Sequence, residues 1–111
     1  PLLVPTSTWH LAGSLFLPTR SESSDYTMDS KDSVVLVDAS SAAVTITLPP
    51  ATQEGKMVVI KKTDSSTNAV TVSAAGTDTI EGSASTNLSA QYDSVTLVAD
   101  GSSTWVIVSS T

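Results

Sequence analysis

The chain has 111 residues, a formal net charge of -6 and a sequence pI near 4.3. It contains no cysteine and a single histidine, His10, which excludes disulfides, thiolate metal sites and a conventional structural zinc centre. An acidic surface repels phosphate backbones and anionic lipid, so neither nucleic acid nor a membrane is an expected partner.

A chain this short makes one small domain with a thin core, and such domains lean on metals, disulfides or oligomerisation. With the first two removed, oligomerisation is the expected support. Charged residues are only 14% of the chain, well under the roughly 25% of ordinary domains, and serine and threonine, roughly a third of the residues, take their place. Hydroxyls solvate outer sheet faces, and threonine suits a pleated surface. No apolar run approaches the roughly 18 residues that a membrane-spanning helix needs.

In chain order, residues 1–20 ("PLLVPTSTWHLAGSLFLPTR") read as an extended, apolar N-terminal arm. It lacks the basic flank of a secretory signal. Residues 21–33 ("SESSDYTMDSKDS") read as a polar connection of loop or short-strand character. This divides the chain into an arm and connection, 1–33, and a β domain, 34–111.

The β domain is read from alternation with period two. Val44, Ile46 and Leu48 face one way and Thr45 and Thr47 the other, and Pro49 ends that strand. In "KMVVIKK" Val58, Ile60 and Lys62 share one face, and Met57, Val59 and Lys61 the other. Lys56, Lys61 and Lys62 are too few for a phosphate-tracking groove and read as solvated strand positions. No stretch shows helical spacing of apolar residues.

A pattern repeats along this half: "VVLV-DASSAA-VTIT", "VVIK-KTDSSTNA-VTVS" and "VTLV-ADGSST-WVIV". Each has an apolar strand, a turn with Asp and paired serines, and a second alternating strand. Asp38, Asp64 and Asp100 fall at equivalent turn positions, where a carboxylate bonds its own backbone. The expected fold is all-β, a small antiparallel sandwich or barrel built from three related hairpins. The first strand of the first hairpin and the second strand of the last are apolar on both faces, so a second sheet covers one side and another subunit part of the other.

Chemistry finds little support. The turn carboxylates are explained by turns, and Asp78 and Glu81, three apart on a strand, point to opposite faces. His10 has no nucleophile elbow to serve, the glycines form no phosphate loop, and no calcium loop is present. No catalytic residue, metal ligand or cofactor site is expected. The candidate contact residues are Leu3, Trp9, Leu11, Leu15 and Phe16 of the arm, which would dock on a partner. Trp105, which shares a face with Ile107, joins them for burial in the core or a subunit interface.

Residues 34–110, through "VDASS..VTITLP", "IKKTDSS.NAVTV", "G.DTIEG" and "QYDSVTLVADG", resemble a module that recurs in surface proteins of tailed-phage virions. Such modules occur in tail fibres and head fibres. The resemblance implies a β-structured, commonly trimeric protein and carries over no catalytic residue. Residues 1–33 lie outside it.

The expected function is therefore non-enzymatic: a homotrimeric decoration, or cement, protein on the outside of a phage capsid, docked on the major capsid protein or another virion protein through its arm. A mature start at Pro1 fits that reading. A start inside a longer frame favours the alternative, a receptor-binding module at a tail-fibre tip that recognises a host surface glycan or protein.

Overall fold

A computed structural model describes residues 13–111. Its ten strands, in order, are β1 (Thr19–Glu22), β2 (Tyr26–Thr27), β3 (Val34–Val37), β4 (Val44–Thr47), β5 (Met57–Lys62), β6 (Val70–Ser73), β7 (Thr79–Ile80), β8 (Ser85–Leu88), β9 (Ser94–Ala99) and β10 (Thr104–Ser110). Among the described residues there is no helix. The strands form a six-stranded sheet, β1-β3-β5-β9-β10-β7, and a four-stranded sheet, β2-β4-β6-β8. The two sheets share one core between them.

The alternation reads correctly along each strand. Val44, Ile46 and Leu48 are buried, as are Val58 and Ile60, while Thr45, Thr47 and Met57 lie on the outer faces. Burial of each such aliphatic side chain contributes about 1.5–3 kcal/mol. Trp105 fills the centre with no exposed surface, and its indole N–H donates to the Pro49 carbonyl at 3.1 Å. The residue that stops β4 thus also satisfies the largest core side chain.

The pairing departs from three antiparallel hairpins. β1, β3 and β5 are parallel to one another, and so are β2, β4 and β6. The chain passes from the larger sheet to the smaller and back four times, and its first three turns, β1–β2, β3–β4 and β5–β6, stack one on the next. The first two repeat copies are therefore arches, with one strand in each sheet, and only β9 with β10 is a hairpin. The sandwich is mixed rather than antiparallel.

The physical reason lies in the ladder partners: β3 pairs with β5 and β4 with β6, so that each arch strand is completed by the next turn. Loop length alone does not decide it, because residues 23–25 and 81–84 also cross between the sheets. An arch must cross the roughly 10 Å between sheets, whereas a hairpin spans the roughly 4.8 Å between paired strands. The arches use residues 38–43 and 63–69, and the hairpin only residues 100–103. Within the hairpin loop Gly101 sits at φ 88°, and a Cβ there would lie 2.8 Å from Glu54 Cβ, so the turn needs glycine twice over. The shared turn motif survives the difference. Asp38, Asp64 and Asp100 each accept the backbone N–H two residues on, from Ser40, Ser66 and Ser102.

The polar connection is partly sheet. Thr19–Glu22 adds a parallel edge strand beside β3, and Tyr26–Thr27 pairs with β4. Residues 13–18, ahead of β1, carry no regular structure.

Candidate functional site

Among the described residues no cavity opens, and no group of three or more His, Cys, Asp or Glu side chains converges. The polar clusters that do exist are tied into the fold. Lys62, expected in solvent, has no exposed surface, and its Nζ lies 2.7 Å from Asp64 Oδ2 and 3.3 Å from Ser66 Oγ. The Ser66 hydroxyl also donates to Asp64. The Lys62 ammonium, the Ser66 hydroxyl and the Ala39 and Ser66 amides hold the Asp64 carboxyl far below the usual carboxylate range, against the opposing effect of burial.

This cluster joins the two arches. Asp64 accepts the Ala39 N–H at 2.7 Å, the Ala39 carbonyl accepts from Asn68 Nδ2 at 2.8 Å, and Ser66 Oγ lies 3.1 Å from that carbonyl. The signal was present in the sequence: a lysine in phase with Val58 and Ile60, two residues before an aspartate. A charge on an apolar face is buried only when paired.

A second cluster closes the β1–β2 end. The Tyr26 hydroxyl donates to Asp32 Oδ2 at 2.5 Å, and the Arg20 guanidinium lies 4.2 Å from the Tyr26 ring centroid. The hydrogen bond to Asp32, with burial, pushes the Tyr26 phenol up to about 12. Asp78 and Glu81 also have structural partners, accepting the Ala51 N–H and the Ile107 N–H.

The surfaces are more informative than the clusters. Of the candidate contact residues, Leu3, Trp9 and Leu11 lie outside the described residues. Leu15 and Phe16 are 70% and 87% exposed, and Leu17 follows at 42%. Trp105 is wholly buried in the core of its own domain, the first of the two places expected for it.

The two outer sheet faces differ in chemistry. On the larger sheet, register aligns Met57, Val98 and Val106 in one row and Thr19, Val34, Val59, Thr96 and Ser109 in the next. On the smaller sheet the corresponding rows are Thr27, Thr47, Ser73 and Ser85, then Thr45 with Thr71. The larger sheet's outer face mixes aliphatic and hydroxyl side chains, and the smaller sheet's rows are hydroxylic.

No family model matches the chain, and no curated protein is significantly similar to it. One exposed side chain of the described residues is Tyr92, just ahead of β9. It is 59% exposed and holds φ 69°, a left-handed conformation that an aromatic residue adopts only at a cost. Nothing in "SAQYDS" marks such a turn, which lacks the usual glycine or asparagine.

Proposed function

We propose that this protein is a non-enzymatic structural component of a tailed-phage virion, a homotrimer that decorates the outer capsid surface and docks on the capsid protein through its N-terminal stretch. The observation that carries the reading is the run of Leu15, Phe16 and Leu17, exposed immediately ahead of β1 on a sandwich whose carboxylates serve turns and clamps. Three consecutive large apolar side chains in water are an unfavourable surface unless a partner covers them. The resemblance of residues 34–110 to phage surface modules supplies the setting.

The mechanism is mass action. A protein that binds the expanded shell and not its precursor stabilises the expanded state in proportion to occupancy. The test is co-sedimentation of the purified chain with expanded shells of the encoding phage. Saturable binding is expected, and shells that sediment without the chain overturn the reading.

The alternative, a glycan-binding module at a fibre tip, is favoured by the smaller sheet's hydroxyl rows, to which β8 contributes Ser85 and Asn87. A glycan array probed with the full chain decides it. Signal no higher than background removes this alternative.

A further inference from the structure

Two edge strands of this sandwich are finished by side chains. β2 and β7 have two residues each, lie at the edges of their sheets and stop short of the strands they pair with. β2 covers Ile46 and Thr47 of β4, and the next N–H on that side, from Thr45, donates to Asp25 Oδ1 at 2.8 Å. β7 covers Thr104 and Trp105 of β10, and the next N–H on that side, from Ile107, donates to Glu81 Oε2 at 3.0 Å. At each place a carboxylate stands where one more strand residue would pair. On β10 the edge continues past it. No strand lies beside β10 from Val106 to Ser110, and Val106 and Val108 are 39% and 56% exposed. The Thr111 N–H donates to the Ser94 carbonyl of β9, so by alternation the Ser110 N–H turns to the open side. The ladder with β9 also shifts register between Ile107 and Ser109, a bulge of the kind that turns an edge away from pairing.

Glu81 occupies its position at a cost. Ile80 and Ser83 exchange both backbone hydrogen bonds, at 2.6 and 3.0 Å, so Glu81 and Gly82 are the central residues of a tight turn. Both hold positive φ, 48° and 89°. A turn of this kind favours Asn-Gly or Asp-Gly, because Asn and Asp tolerate the left-handed region better than longer side chains do. Glu81 is also exposed, so its hydrogen bond adds little to stability, since water would serve the Ile107 N–H nearly as well. What the longer side chain adds is reach from the turn to β10. Backbone strain kept without a gain in stability points to a role outside the fold itself.

We infer that Glu81 guards the edge of β10: its carboxylate fills the place an incoming strand would take, and without it the β10 edges of two copies pair. A row of unpaired backbone donors and acceptors selects an extended polypeptide strand. In a solution of this chain that strand is the same edge of a second copy, and two identical edges meet antiparallel about a two-fold axis. The guard role is independent of where the sandwich is attached. It takes the wild type, in whatever assembly it forms through other surfaces, as the baseline.

The test compares the full chain with three variants by sedimentation velocity over a concentration series and by amide exchange in NMR spectra. Glu81→Asn suits the turn, so its thermal midpoint should hold or rise. Exchange of the Ile107 N–H should quicken by at least about fivefold, and self-association should exceed that of the wild type by at least about tenfold. A glutamate with a purely structural role would not produce that pair of effects. Glu81→Gln keeps the reach and an acceptor oxygen and should match the wild type throughout. Ser110→Pro added to Glu81→Asn removes the outward N–H at the far end of the edge and should return association to the wild-type level. A Glu81→Asn variant that associates no more than the wild type overturns the guard role, and so does unchanged exchange at Ile107. Added association that survives Ser110→Pro, that Glu81→Gln shows equally, or that comes with a lowered thermal midpoint overturns it as well.

Discussion

The Lys62 ammonium, wholly buried, lies 2.7 Å from the Asp64 carboxylate, and that carboxylate in turn accepts the Ala39 N–H of the neighbouring arch. One ion pair therefore anchors two turns of the chain to each other. Removing one partner of a buried pair leaves the other uncompensated, which typically costs about 3–5 kcal/mol. Lys62→Met should lower the unfolding free energy by about that amount in urea titrations. Lys61→Met, one residue away on the outer face, should cost under about 1 kcal/mol.

The same pair sets the acid limit of stability. Asp64 is held far below its unfolded value, so the unfolded chain binds the extra proton as pH falls. Its contribution is complete above an unfolded carboxyl pKa of about 3.9 and is lost as pH falls from there toward the folded value. Asp38 and Asp100, also lowered, add to the same slope. Thermal midpoints should drop between about pH 5 and pH 2, and Asp64→Asn should flatten that limb.

Tyr26 sets an alkaline limit of opposite sign. Its phenol is raised to about 12 by the hydrogen bond to Asp32, so the folded chain holds a proton that the unfolded chain releases near pH 10. Stability from this bond is complete below about pH 10 and falls as pH rises toward 12. Ultraviolet titration should show one phenol ionising near 12, and Tyr26→Phe should abolish that step and flatten the alkaline limb of thermal stability.

The two kinds of turn should respond differently to the same substitution. Asp100 Oδ1 accepts three backbone N–H groups, from Ser102, Ser103 and Thr104, whereas Asp38 Oδ1 accepts the Ser40 N–H. Asp100→Ala should destabilise by about 1–2 kcal/mol and Asp38→Ala by about 0.5 kcal/mol, as read by urea unfolding.

Much of this fold is legible strand by strand. The alternation of Val44, Ile46 and Leu48 gives the buried face directly, and the Asp-Ser spacing gives the turns. Partner choice is not, because an arch and a hairpin share the same alternation and differ in which distant strand completes the ladder. β1 and β2 are also hard to see, since "TRSE" and "YT" have no apolar period and owe their strand geometry to β3 and β4. For the site, the apolar run at Leu15 and Phe16 was readable. The pairing of Lys62 and the strained backbone of Tyr92 arise from tertiary contacts.

On the proposed function, this sandwich acts by where it is attached, and the attachment lies ahead of β1. Because the Pro18 carbonyl accepts the Val34 N–H at 3.0 Å, changes at residues 15–17 leave the first strand pairing intact. The most direct measurement is the occupancy of expanded shells by the full chain and by a Leu15→Asp, Phe16→Asp, Leu17→Asp variant, with circular dichroism confirming that both are folded. Saturating occupancy for the wild type and background occupancy for the variant are predicted. Equal occupancy by both would contradict the claim.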